Sequence, residues 1–237
     1  MLWQLDETKN RVVDIRRLSD MKELVFDKGW LENNWAQKST APVYYIYRNI
    51  FKKEDASRIK QSGLRYNITV VPGQMLGEEY TKTFGHYNPI AVDEYSFPEV
   101  YQVLEGEAIF LIQKVDNFNQ NNIQDVAFAK GRVGEVFVVP PNYGHIIINP
   151  SPKRRLVLAS WVADGFTSIY EPIKRLCGGS YFFTKDGWVK NHRYGLVPDI
   201  RQIKCKKLDD IYGFAADLEK LAFLKDPSIR LSGSGVQ

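Results

Sequence analysis

Residues 99–115, EVYQVLEGEAIFLIQKV, decide the fold. β-Branched, aliphatic and aromatic residues fill both halves, and Glu105-Gly106-Glu107 between them reads as a turn joining two strands. The pattern repeats outward. APVYYIYRNIF (41–51), LRYNITVVPG (64–73) and EEYTKTFG (78–85) precede it. QDVAFAKG (124–131), GEVFVVPP (134–141), HIIINPS (145–151) and RLVLASWVA (155–163) follow. Gly131, Gly134 and Pro140-Pro141-Asn142 punctuate these runs, and DNFNQNN (116–122) reads as a polar loop. Short strands at this spacing predict a mainly β chain, an antiparallel sandwich or barrel in place of a βαβ sheet.

The flanks differ in character. Residues 1–40 predict an arm that alternates charged and apolar positions, with a capped turn or helix after Ser19-Asp20. EDASRIKQSG (54–63) predicts a short helix or loop ending at Gly63, and a hairpin is expected around Asp186-Gly187. Beyond a barrel spanning 41–200, Leu208, Ile211, Tyr212, Ala215, Leu218, Ala222 and Lys225 recur at helical spacing. They predict one amphipathic α-helix in an extension over 201–237, stopped by Pro227 and followed by a disordered tail, SGSGVQ.

Composition narrows the function classes. With 44% hydrophobic residues, 13 Tyr and 13 Phe, the 237-residue chain is rich enough in apolar surface to fold without covalent staples. A net charge of +4 with scattered basic residues leaves no stripe for nucleic acid, but it favours small anions. Cys177 and Cys205 stand apart with no metal-binding spacing, as expected of free thiols in a reducing cytoplasm. No signal peptide and no membrane span are indicated.

Chemistry concentrates in TKTFGHYNP (81–89). His86 ends a predicted strand, and a strand puts residue 88 on its face, where an asparagine stands. His145 opens a strand after Pro140-Pro141, and Glu99 opens another after Pro98. Two imidazoles and a carboxylate from three strands of one barrel suit a divalent transition ion with open positions. Single strand-end polar residues are common in any barrel, so the set counts for more than each member. His192 has no motif around it and reads as structural or surface.

IRRLSDM (15–21), APVYYIY (41–47), NITVVPG (67–73), TKTFGHYN (81–88), EVYQVLEG (99–106), VVPPNYGHIIIN (138–149) and ASWVADGFTSIY (159–170) together resemble, in order, the cupin-type glucose-6-phosphate isomerases. The resemblance covers roughly residues 12–200. It implies a cupin (double-stranded β-helix or jelly-roll) barrel, a sugar-phosphate substrate, a homodimer, and a metal such as Fe, Mn, Ni or Zn. The family's ligands carry over onto His86, Asn88, Glu99 and His145, with Asn88 in place of a histidine and a longer connection from there to Glu99. Glu99 and His145 are the implied catalytic residues. Thr69, Thr83 and Gly85 match phosphate-contacting positions; Tyr101, Trp161 and Tyr170 match pocket-shaping aromatics, Trp161 replacing a tyrosine. Two readings stay open: a metal-dependent isomerase of glucose 6-phosphate and fructose 6-phosphate, or a non-catalytic or divergent cupin that binds a sugar or sugar phosphate. A dioxygenase on the same ligands fits the donors but not the surrounding sequence.

Overall fold

A computed structural model of the chain describes residues 13–229. The start of the arm and the SGSGVQ tail lie outside the described residues. Among the described residues, a seven-stranded sheet runs in the order Val13–Arg17, Pro42–Tyr47, Leu64–Val71, Leu156–Ala163, Glu99–Glu105, Glu135–Val139, Lys206–Lys207. A four-stranded sheet runs in the order Gly144–Ile148, Glu107–Val115, Ile123–Arg132, Arg201–Lys204. All ladders of the two sheets are antiparallel except that of Arg201–Lys204 on Ile123–Arg132. The strand-turn-strand expected at 99–115 is the junction: Glu99–Glu105 enters one sheet and Glu107–Val115 the other. Gly106 makes that switch at φ +80, where a Cβ would sit 2.6 Å from the Arg155 carbonyl oxygen.

At its centre the seven-stranded sheet is buried on both faces, which explains why Leu156–Ala163, apart from Ser160, reads as an apolar run. One face packs with the four-stranded sheet around Tyr101, Val103, Phe110, Ile112 and Leu158. The other holds Tyr66, Ile68, Val100, Ala159 and Trp161 beneath the C-terminal segment, through Ile211, Tyr212, Leu221 and Leu224. The Trp161 indole N–H donates to the Ile211 carbonyl at 2.8 Å. The Gln102 side chain accepts from Ile211 N at 3.0 Å and donates to the Asp209 carbonyl.

That covering segment corrects one expectation. Ile211–Ala216 and Leu218–Leu224 are two short 3₁₀ turns, in place of one α-helix. Gly213 weakens a helix at its middle, and Asp217 adopts φ −146, outside helical space. The apolar residues still reach the core because 3₁₀ and α spacing place residues three apart on one side. The arm also contains an α-helix, Lys28–Lys38, capped by Asp27 accepting from Trp30 N. The expected short helix forms at Ala56–Ser62 and ends on Gly63, and Tyr181–Thr184 pairs with Gly187–Lys190 as the expected hairpin. No helix among the described residues is long and apolar enough to cross a membrane.

A buried ion pair ties the arm to the barrel. Lys82 Nζ bonds Glu79 and the Leu24 carbonyl and lies 4.6 Å from the Phe182 ring centroid, while Glu79 accepts from Phe26 N. Removing only the cation strands a buried carboxylate, so Lys82→Met should lower stability by about 3–5 kcal/mol in urea titration. A loss no larger than that of an exposed lysine would show the pair to be dispensable.

Candidate metal centre

Two strands and one isolated bridge build the cluster. Glu99 opens Glu99–Glu105 and His145 lies in Gly144–Ile148, while the expected strand at 78–85 shrinks to Glu79–Tyr80 and leaves His86 outside it. His86 and His145 form an isolated antiparallel bridge: His145 N donates to the His86 carbonyl at 3.0 Å, and His86 N to the His145 carbonyl at 3.2 Å. Their rings stand 4.4 Å apart. Gly85 permits this approach at φ +82, since a Cβ there would meet Ile146 Cγ1 at 2.4 Å. Glu99 reaches in from the facing sheet, and one donor atom each from His86, Glu99 and His145 lie within 4.8 Å of one another.

Glu99 is the centre of the hydrogen bonding. Its carboxylate accepts from the Tyr101 hydroxyl at 2.5 Å and Asn88 Nδ2 at 2.8 Å, and it meets His86 Nε2 at 3.1 Å. Burial alone would raise this carboxyl. The imidazoles of His145 and His86 and the Tyr101 hydroxyl outweigh it and hold the group well below the usual carboxylate range. Burial, reinforced by His86, pushes His145 down to about 3, so its imidazole is neutral. A neutral imidazole is the form that ligates a metal.

Asn88 faces the cluster through its nitrogen. Nδ2 donates both to Glu99 and, at 2.9 Å, to the Phe97 carbonyl. Both neighbours are acceptors, which fixes the amide's orientation. Oδ1 is left buried without a partner. Beyond Asn88 the longer connection folds into a hairpin, Ile90–Val92 with Tyr95–Ser96, beside a separate cleft of about 800 Å³.

The pocket above the cluster contains most of the expected residues. Thr69, Thr83, Gly85, Tyr101 and Tyr170 line it with the three cluster residues. The Thr83 hydroxyl accepts from Ile147 N at 3.0 Å. Tyr170 stacks obliquely on His86, 5.6 Å between centroids, and Tyr101 also meets His145 Nε2 at 3.1 Å. Trp161 does not belong to the pocket, contrary to expectation. It is wholly buried on the opposite face of its strand, and alternation brings Ser160 to the pocket in its place. Sequence reasoning missed Arg48, Arg65, Asn67 and Ser160, which also line it. Stepping back by two from Thr69 along the strand would have found Asn67 and Arg65.

A family model described as Glucose-6-phosphate isomerase (GPI) matches residues 15–199. The chain belongs to the glucose-6-phosphate isomerase family. It is 29% identical over 157 residues to a glucose-6-phosphate isomerase of Thermococcus litoralis, covering 66% of this chain and 73% of that one. Against the isomerase of Pyrococcus abyssi the identity is 28%, covering 63% and 70%. A solved oxalate oxidase in complex with the substrate analogue glycolate aligns at 12% identity and TM-score 0.36, covering 69% of this chain and 56% of that one.

The donor set fits the ion that the family resemblance implies. Two imidazole nitrogens and one ionised carboxylate already face each other across a few ångströms, and His145 is neutral. Tyr101→Phe removes the shortest bond to Glu99 and should destabilise the protein by about 1–3 kcal/mol in thermal or urea unfolding. An unchanged midpoint would mean that Glu99 does not depend on that hydroxyl.

Proposed function

We propose that the chain interconverts glucose 6-phosphate and fructose 6-phosphate in this pocket, with His86, Glu99 and His145 holding a divalent transition-metal ion. The observation that carries the reading is the meeting of these three side chains in a chain of this family. Three protein ligands are sufficient for a catalytic ion with open positions. When bound, such an ion supplies Lewis acidity to the sugar oxygens.

The chain's own residues divide the remaining work. Asn88 orients Glu99 through its amide nitrogen and is not itself a ligand, the role implied for the family's histidine at this position. Glu99 is the sole carboxylate lining the pocket among the described residues. Held so far below the usual range, it is a firm ligand and a weak base. Its share in moving the C2 hydrogen is therefore smaller than its share in holding charge. His145, neutral at working pH, turns Nε2 toward the same atoms. Thr69, Thr83 and Gly85 lie along the wall where substrate oxygens dock, and Tyr170 closes the side by His86. The homodimer is part of the same proposal, to be read from sedimentation equilibrium.

The test is isomerase activity of the purified chain before and after chelation, with Glu99→Gln alongside. Activity should disappear with chelator, return with added ion, and fall at least about a hundredfold in Glu99→Gln. Metal-loaded protein inactive on both sugar phosphates would refute the proposal.

A further inference from the structure

The seven-stranded sheet carries two rows of paired residues across its barrel face. Along one, Glu99 pairs with Val162, and Val162 with Arg65. Along the next, Tyr101 pairs with Ser160, and Ser160 with Asn67. Arg48, just past the Pro42–Tyr47 strand, lines the same wall. Two polar atoms there are left over: Arg65 Nε and Asn67 Oδ1 are both buried without a hydrogen-bond partner. A sequestered guanidinium N–H and a sequestered amide carbonyl each cost free energy until something bonds to them.

The two arginines are held, not floppy. Arg65 Nη1 donates to Asp164 at 2.9 Å and Arg48 Nε to Asp14 at 2.6 Å, and neither carboxylate lines the pocket. Burial, and then the positive charge of Arg48, depress the Arg65 guanidinium, which means that like charges are kept close together at this wall. An anion between them would relieve both the burial and the repulsion.

We propose that Arg48 and Arg65 grip the phosphoryl group of the substrate, while Asn67 Oδ1 accepts from an adjacent sugar hydroxyl. The proposal rests on the sugar-phosphate reading and extends it beyond the threonine and backbone contacts that the family resemblance implies. Arg65 stands two strands from Glu99 in one row, roughly 9.6 Å between backbones at the usual strand spacing. A sugar phosphate with its reacting carbons over the cluster therefore directs its far end toward the arginines. Guanidinium forks match phosphate oxygens, and a neutral sugar offers them nothing of equal strength. The arginine wall would thus separate phosphorylated from free sugars.

Isothermal titration with glucitol 6-phosphate and with glucitol tests this without requiring turnover. The native chain should bind the phosphate ester and bind glucitol far more weakly. Arg65→Met and Arg48→Met should each weaken the ester about tenfold to a hundredfold, with glucitol unchanged. Arg65→Lys, which keeps the charge without the fork, should fall between, and circular dichroism would confirm folding of each variant. Ester affinity unchanged in both methionine variants, or no ester binding by the native chain, overturns the proposal. Turnover of glucose 6-phosphate is followed in parallel. Arginine-dependent ester binding without turnover upholds the wall and refutes the isomerase; turnover with binding indifferent to both arginines does the reverse.

Discussion

A carboxylate sunk into an apolar barrel must be compensated from every side, and Glu99 sets that constraint here. Its partners arrive from different places in the chain: Tyr101 from its own strand, Asn88 from the connection before it, His86 from the end of the preceding segment, and His145 from the opposite sheet. Each must be in register for the charge to be tolerated. The His86–His145 backbone bridge keeps the two imidazoles together, and the glycine at position 85 lets the chain come close enough to make it. Losing any one contact leaves a charge or a polar atom without a partner in low dielectric, so folding and site assembly are one problem.

The second constraint is the central strand buried on both faces. Because both faces of Leu156–Ala163 are covered, the strand can place Ser160 over the pocket and Trp161 under the C-terminal turns. The tryptophan then anchors the Ile211 carbonyl, and Tyr212 holds Lys52 N and Asp55 on the same side. The outer core thereby stiffens the strand whose inner face carries the site. Glu79 and Lys82 perform a similar task at the other end, fastening the arm to the segment that leads into His86.

Much of this was legible in the sequence, for physical reasons that differ from residue to residue. His86, Glu99 and His145 were readable because histidines are scarce in the chain and each of the three sits beside turn chemistry, Gly85 before His86, Pro98 before Glu99 and Pro140-Pro141 before His145. The presence of many short strands followed from the spacing of glycines and prolines, but their order across the two sheets did not. Trp161 was misplaced by the family resemblance, and a strand buried on both faces has no polar–apolar period to correct the placement. Arg65 and Asn67 were missed although alternation from Thr69 reaches them, since a lone arginine in a strand looks like an exposed one. The C-terminal turns passed for an α-helix because three-residue spacing serves both, and only Gly213 and Asp217 mark the difference. The direction in which the Asn88 amide points depends on its acceptors, Phe97 and Glu99, and no sequence pattern states that.

The account depends on His86, Glu99 and His145 forming a metal centre, and anomalous diffraction from crystals grown with manganese tests that most directly. The predicted result is one strong anomalous peak per chain, within bonding distance of all three side chains, with the Asn88 amide still turned to Glu99. Crystals that diffract well but show no peak at this position, or a peak only elsewhere on the molecule, would contradict it.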